Sequence, residues 1–372
     1  MLTGTMSVIA IISVIAGIGV LVVGAEFLVR GAASVAARTG ISSVVIGLTV
    51  VAFGTSTPEL AVSLQSAFDD KADLAIGNVV GSNIANVLLI LGLSAIAGGG
   101  LVVAQRLVRL DVPLMVLVSG VMWLMVLDGE ITKLDGVILV VGLVVYTTWT
   151  VVAAKRPDPT TEAEYDEALD VATIRRTSVL VDVGLIVVGL GGLILGARFL
   201  VSGASDIAVD LGVPDLVIGL TVVAVGTSMP ELATSVLAAI RGERDIAVGN
   251  VVGSNLFNIM SVLGLSAVIS PSTLLVSDGA RSFDIPVMTA VAVACLPVFF
   301  NGYAIRRWEG GVFVAYYVAY VGYLVLDATE HAAQETFGTV MAFFVLPLTA
   351  LTLVAVAYNA WRVGRASRIS TS

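Results

Sequence analysis

The feature that most limits this chain is a series of apolar runs of 18 residues or more, the first over residues 6–29. A run of that length crosses a bilayer as an α-helix. Hydrocarbon offers no water to a bare peptide group, so each segment must close its own hydrogen bonds. Composition agrees: 58% of the 372 residues are hydrophobic and 13% are charged, with a mean hydropathy of +1.03. Soluble domains carry about 25% charged residues. The chain therefore reads as an all-α polytopic membrane protein. Its first run has no Lys or Arg ahead of it and is too long for a signal peptide, so it reads as a retained helix.

Eleven helices are expected, near residues 6–29, 43–68, 74–97, 110–127, 134–154, 178–200, 213–240, 246–269, 283–300, 310–326 and 338–361. An acidic linker, 155–177, divides them, and its stretch DPTTEAEYDEALD (158–170) contributes six carboxylates and no basic residue to the net charge of −9. Nothing in that balance suggests a nucleic-acid partner. Cys295, the single cysteine, excludes an internal disulfide. Alternating spans place fifteen basic residues on one side (Arg30, Arg38, Arg106, Arg109, Lys155, Arg156, Arg175, Arg176, Arg241, Arg244, Arg306, Arg307, Arg362, Arg365 and Arg368) and four on the other (Lys71, Lys133, Arg198 and Arg281). The positive side is cytoplasmic by rule, which puts the N-terminus outside and the linker and C-terminus in the cytoplasm of a cell-membrane protein.

The chain also repeats itself. VIGLTVVAFGTSTPELA (45–61) and VIGLTVVAVGTSMPELA (217–233) agree at 15 of 17 positions, at an offset of 172. At the same offset AIGNVVGSNIANVLLILGLSA (75–95) meets AVGNVVGSNLFNIMSVLGLSA (247–267), and GAEFLVRGA (24–32) meets GARFLVSGA (196–204). DVP (111–113) meets DIP (284–286) after a one-residue slip. The repeat spans five helices, in 1–154 and again in 178–327, with 338–361 as an additional helix. Five is odd, so the second copy enters the membrane upside down. Inverted repeats characterise secondary transporters, whose sites lie near the midplane at broken helices.

Within 43–68, Pro58 has no N–H for the carbonyl of Gly54 and its ring presses on that oxygen. Backbone oxygens around Ala52 to Thr55 are expected to lose helical partners, a state tolerated only beside protein or a hydrated cavity. Glu59 costs a few kcal/mol at the bilayer centre, of the order of the ~2.5–3.5 given for Asp on insertion scales. Thr55 and Glu59 are four residues apart on one face, with Ser56 adjacent. The second copy supplies Thr227, Ser228 and Glu231 around Pro230. In the following helices Ser82 and Asn86 share a face, as do Ser254 and Asn258. Such donors are all oxygen, which suits a hard cation: Ca²⁺ first, and Na⁺ by its similar size. A lone proline would read as a kink and a lone Ser or Asn as packing, but the symmetric duplication favours a site. Glu26, Arg30 and Arg198 read as interfacial anchors, with Glu26 and Arg30 an i,i+4 pair, and His331 as a surface residue.

GTSTPE and GTSMPE, each followed by GNVVGSN, resemble the two alpha repeats of the sodium/calcium exchangers in the cation/calcium antiporter superfamily. The resemblance covers about residues 6–327 and implies ten helices in two inverted halves that give alternating access, the first and sixth helices sliding across a fixed core. It implies ion ligands at Glu59, Thr55, Ser56 and the Ala52 carbonyl, and at Glu231, Thr227, Ser228 and the Ala224 carbonyl, completed by Ser82, Asn86 and Ser254. Position 258 departs from the pattern: the exchangers resemble one another in carrying Asp where this chain has Asn258. Two carboxylates match the charge of one Ca²⁺.

The expected function is thus exchange of Ca²⁺ for Na⁺ across the bilayer, with inorganic cations as the partners and no cofactor. A proton-coupled Ca²⁺ antiporter on the same fold is the alternative. An intramembrane acid protease, which also uses two facing carboxylates, and a passive channel are remote ones.

Overall fold

The computed structural model describes residues 3–154, 178–211, 224–300, 302–329, 331, 333–341, 346, 349–350 and 354. The first half comprises α1 (Thr3–Thr39), α2 (Ser43–Thr55), α3 (Thr57–Phe68), α4 (Ala72–Ala97), α5 (Leu107–Asp128) and α6 (Lys133–Ala154). The second repeats the order with α7 (Val179–Asp210), α8 (Ala224–Thr227), α9 (Met229–Ile240), α10 (Arg244–Ile269), α11 (Ala280–Phe300) and α12 (Arg307–Ala328). A short α13, Ala333–Val340, follows. The linker 155–177, the start of the expected helix 213–240 and most of the expected helix 338–361 lie outside the described residues.

Among the described residues, four two-residue strands reveal how the halves are related. β1 (Leu101–Val102) pairs antiparallel with β4 (Ala304–Ile305), and β2 (Glu130–Ile131) with β3 (Leu274–Leu275). β1 follows the fourth helix of its half, whereas its partner β4 follows the fifth of the other. The halves are therefore displaced by one crossing, which is the inverted topology that an odd repeat demands.

The expected single helix 43–68 is broken. Ser43–Thr55 and Thr57–Phe68 meet at 44°, with Ser56 between them at φ −81°, ψ 5°. The break falls two residues ahead of Pro58, because the proline takes a first-turn position of α3, where an N–H is not needed. Ser228 repeats this conformation at φ −87°, ψ 10°, ahead of Pro230.

α4 and α10 form the centre, 78% and 83% buried, against 28% for each of α1 and α7. α1 and α7 pack antiparallel on each other through glycines spaced by seven. A Cβ at Gly24 would lie 2.8 Å from the backbone N of Leu193, and one at Gly196 would lie 2.7 Å from that of Leu21. Gly17, Gly31, Gly189 and Gly203 are equally close to the opposing backbone. Lipid tails are as apolar as leucine, so helices in a bilayer gain by close packing rather than by escaping water. Glycine permits the closest approach.

α1 runs ten residues beyond its expected end at 29, which places Arg30 and Arg38 inside the helix rather than in the loop after it. The extension keeps contact with α7: Arg38 Nε lies 2.9 Å from Asp182 Oδ2 in the first turn of α7. Glu26, expected beside Arg30, is held instead by Arg241 at 2.8 Å, because the α9 terminus packs across α1. His331 is exposed, as expected, and Arg198 is exposed too, but α7 runs ten residues beyond its expected end at 200, which places Arg198 inside the helix rather than at its end. The aspartates of DVP and DIP each take a tyrosine from the next helix, Tyr146 donating to Asp111 at 3.0 Å and Tyr320 to Asp284 at 2.9 Å.

Candidate ion-binding site

The two breaks meet at the centre of the molecule. At each, one helix ends and the next begins across a single serine. Glu59 and Glu231 are the third residues of α3 and α9, where the helix dipole favours a carboxylate. Both are fully buried. Each is contacted by the hydroxyl of the opposite half: Ser56 donates to Glu231 Oε1 at 3.2 Å and Ser228 to Glu59 Oε1 at 3.3 Å. Ser228 Oγ also lies 3.1 Å from Ser82 Oγ. Glu59, Glu231, Ser56, Ser228 and Ser82 thus form one buried cluster.

The threonines reach across the same axis. Thr55 donates to Asn250 Oδ1 at 3.1 Å, and Thr227 to Asn78 Oδ1 at 3.4 Å. A hydroxyl ligates a cation through a lone pair, so its proton must point elsewhere. Asn250 and Asn78 accept those protons. They are anchored in turn, Asn250 donating to Ser235 at 2.9 Å, and Asn78 to Ser63 at 2.9 Å and to the Glu59 carbonyl at 3.0 Å.

Asn86 and Asn258 each open a π turn in the central helices, Asn86–Leu91 and Asn258–Leu263. Such turns inside α-helices occur often at functional sites. Their amide nitrogens are engaged, by Asn255 Oδ1 at 2.9 Å and Asn83 Oδ1 at 3.1 Å respectively. Their oxygens are not. Glu59 Oε2, Glu231 Oε2, Asn86 Oδ1, Asn258 Oδ1 and Ser254 Oγ are all buried without a hydrogen-bond partner. Buried polar atoms are nearly always satisfied, and isolated buried carboxylates are costly. The two amide oxygens can only accept, and the two carboxylate oxygens only accept while ionised. The set calls for a positive charge.

The backbone oxygens behave differently in the two halves. Ser56 N–H bonds the Ala52 carbonyl at 3.0 Å, so this oxygen keeps a helical partner that the sequence expectation removed. The proline acts further along, on Gly54. Ser228 N–H instead bonds Val225 at 3.1 Å, passing over the Ala224 carbonyl.

The structure brings Thr55, Ser56, Glu59, Ser82, Thr227, Ser228 and Glu231 into contact, directly or through one bonded neighbour. Asn86 and Asn258 lie one turn beyond Ser82 and Ser254 on the same helices. Sequence reasoning missed Asn78, Asn83, Asn250 and Asn255. Their signal was present, since both pairs recur at the offset of 172 within GNVVGSN. Among the described residues no three His, Cys, Asp or Glu side chains cluster, so the candidate site rests on two carboxylates completed by neutral oxygens.

Comparison with known proteins identifies the family. The sequence profile described as "Sodium/calcium exchanger protein" matches residues 9–152 and 181–326, one stretch in each half. The chain is similar to the putative antiporter CaxA of Alkalimonas amylolytica, 36% identical over 323 residues that cover 86% of this chain and 98% of that protein. It is similar to the sodium/calcium exchanger MaX1 of Methanosarcina acetivorans, 32% identical over 336 residues that cover 82% and 95%. A solved structure of the sodium-calcium exchanger NCX_Mj superposes with a TM-score of 0.72 at 30% identity, covering 85% of this chain and 99% of that one. The chain therefore belongs to the sodium/calcium exchanger protein family, and it is a membrane-integral cation/calcium antiporter rather than an enzyme.

Proposed function

We propose that this protein exchanges Ca²⁺ for Na⁺ by alternating access, binding both at the site between the two helix breaks. The observation that carries the reading is the set of buried oxygens without partners: Glu59 Oε2, Glu231 Oε2, Asn86 Oδ1, Asn258 Oδ1 and Ser254 Oγ. Hard oxygens surround Ca²⁺ in six to eight positions; these five atoms fill most of them, and the one to three that remain are drawn from the hydroxyls of Thr55, Ser56, Thr227, Ser228 and Ser82 and the Ala52 and Ala224 carbonyls. The two carboxylates neutralise one Ca²⁺. Emptied, the site leaves two negative charges in a low-dielectric interior, so passage through a closed intermediate without cations is costly. That penalty couples exit of one ion to entry of the other.

The amide at position 258 favours a second reading, in which protons replace Na⁺. Two carboxylates can take up two protons without a third acid. Uptake of ⁴⁵Ca²⁺ into Na⁺-loaded proteoliposomes, with external Na⁺ replaced by choline and pH equal on both sides, separates the two. The expected result is uptake that collapses when the Na⁺ gradient is removed. Uptake that requires an imposed pH gradient transfers the protein to proton coupling, and absence of both overturns Ca²⁺ transport.

The N-terminus is proposed to be outside. Arg106, Arg109, Arg306 and Arg307 flank the β1–β4 pair, whereas Lys133 and Arg281 flank β2–β3 on the opposite face. A protease site inserted in 155–177 should be cut in inside-out vesicles and protected in right-side-out ones. The reverse pattern inverts the assignment.

A further inference from the structure

We infer that Asn83 and Asn255 are positioning residues for the ion site, each aiming the ligand amide of the opposite half. The inference rests on the ion-binding reading above. Asn83, from the first half, accepts from Asn258 of the second at 3.1 Å. Asn255, from the second half, accepts from Asn86 of the first at 2.9 Å. An amide side chain has one oxygen end and one nitrogen end. Binding the nitrogen on the outside turns the oxygen away from that partner, and the oxygens of Asn86 and Asn258 are the ones left buried without a donor.

The braces are themselves oriented. Asn83 Nδ2 lies 3.3 Å from the backbone oxygen of Asn255 and 3.6 Å from Met288 Sδ. Asn255 Nδ2 lies 3.3 Å from Met115 Sδ. Met115 and Met288 are buried at matching places in α5 and α11. With its nitrogen placed among acceptors, Asn83 presents its oxygen to residue 258, and likewise Asn255 to residue 86. An oxygen facing residue 258 requires a donor there. An amide provides one, whereas a carboxylate would oppose oxygen to oxygen. Because the braces cross between halves, each half's ligand depends on the other half.

The test is a double-mutant cycle on the full chain in proteoliposomes, reading the KM and maximal rate of ⁴⁵Ca²⁺ uptake. Asn83→Leu removes the acceptor, and loss of an outer-shell partner of this kind costs roughly 10–100-fold in ion affinity. A rise of about tenfold or more in KM is expected, with the maximal rate nearly unchanged. In an Asn258→Ala background the same substitution should change KM by less than about twofold, since no amide remains to be aimed. Asn83→Ser, which retains an accepting oxygen, should fall between. Equal KM effects in both backgrounds, or a loss of maximal rate at constant KM, would overturn the inference. The mirror cycle of Asn255→Leu with Asn86→Ala provides a second reading should Asn83→Leu yield no folded protein. Thermal unfolding of the ion-free protein tells the two ideas apart. Non-additive melting shifts in a chain that carries no Ca²⁺ flux would reject the transport reading and retain the brace, and additive shifts with intact flux would do the opposite.

Discussion

Glu59→Gln is expected to abolish Ca²⁺ exchange while leaving a folded protein. The substitution preserves shape, and Gln Oε1 can still accept from Ser228, which lies 3.3 Å from Glu59 Oε1. Only the charge disappears. A bound Ca²⁺ would then face one carboxylate, leaving a net positive charge in a fully buried site. An uncompensated ion in a protein interior costs several kcal/mol, which corresponds to about a thousandfold or more in affinity. The ion-free protein should melt no lower than the parent, because an unpaired buried carboxylate oxygen has been removed. ⁴⁵Ca²⁺ exchange combined with size-exclusion and melting profiles would check both parts. Full exchange by Glu59→Gln would remove this residue from the site. Glu231→Gln should behave alike, as the mirror position.

Gly24→Ala should give the second large effect, on assembly rather than on ions. The new Cβ would sit 2.8 Å from Leu193 N and 2.9 Å from Gly189 O, both backbone atoms that no rotamer change can move. The helices must separate, and overpacking of this kind costs about 1–3 kcal/mol. Separation also loosens the contacts at Gly17 and Gly31, which belong to the same seam. Gly19→Ala supplies the control, since a Cβ there would have nothing within 4 Å. Alanine is the better helix former by about 0.8–1.0 kcal/mol, so Gly19→Ala should be neutral or stabilising. A thermal melt in detergent would rank the pair. Equal melting temperatures would mean that α1 and α7 tolerate a wider spacing than the structure gives them.

The two expectations rest on different parts of the architecture. The glycine seam joins α1 to α7 at the periphery, where the rest of the chain leaves most of both helices uncovered. Glu59 and Glu231 belong to the buried centre, held by side chains from the opposite half.

Much of this was legible in the residues alone. Apolar runs marked the spans because each must satisfy its own backbone hydrogen bonds, a requirement met locally. The offset of 172 between GTSTPE and GTSMPE exposed the repeat, and an odd number of helices made it inverted. Pro58 and Glu59 marked the candidate site, since neither is placed in hydrocarbon without a compensating partner. Tertiary structure decided what meets what. The break settles on Ser56 because Pro58 fits the first turn of a new helix better than the end of an old one. Glu26 takes Arg241 instead of Arg30 because α9 crosses α1 at that level. Asn83 and Asn255 look like packing residues in sequence, and their partners lie 175 and 169 residues away. A side-chain amide carries no mark of which end will donate and which will accept. That direction is fixed only when two antiparallel halves close on each other and leave one donor facing one acceptor.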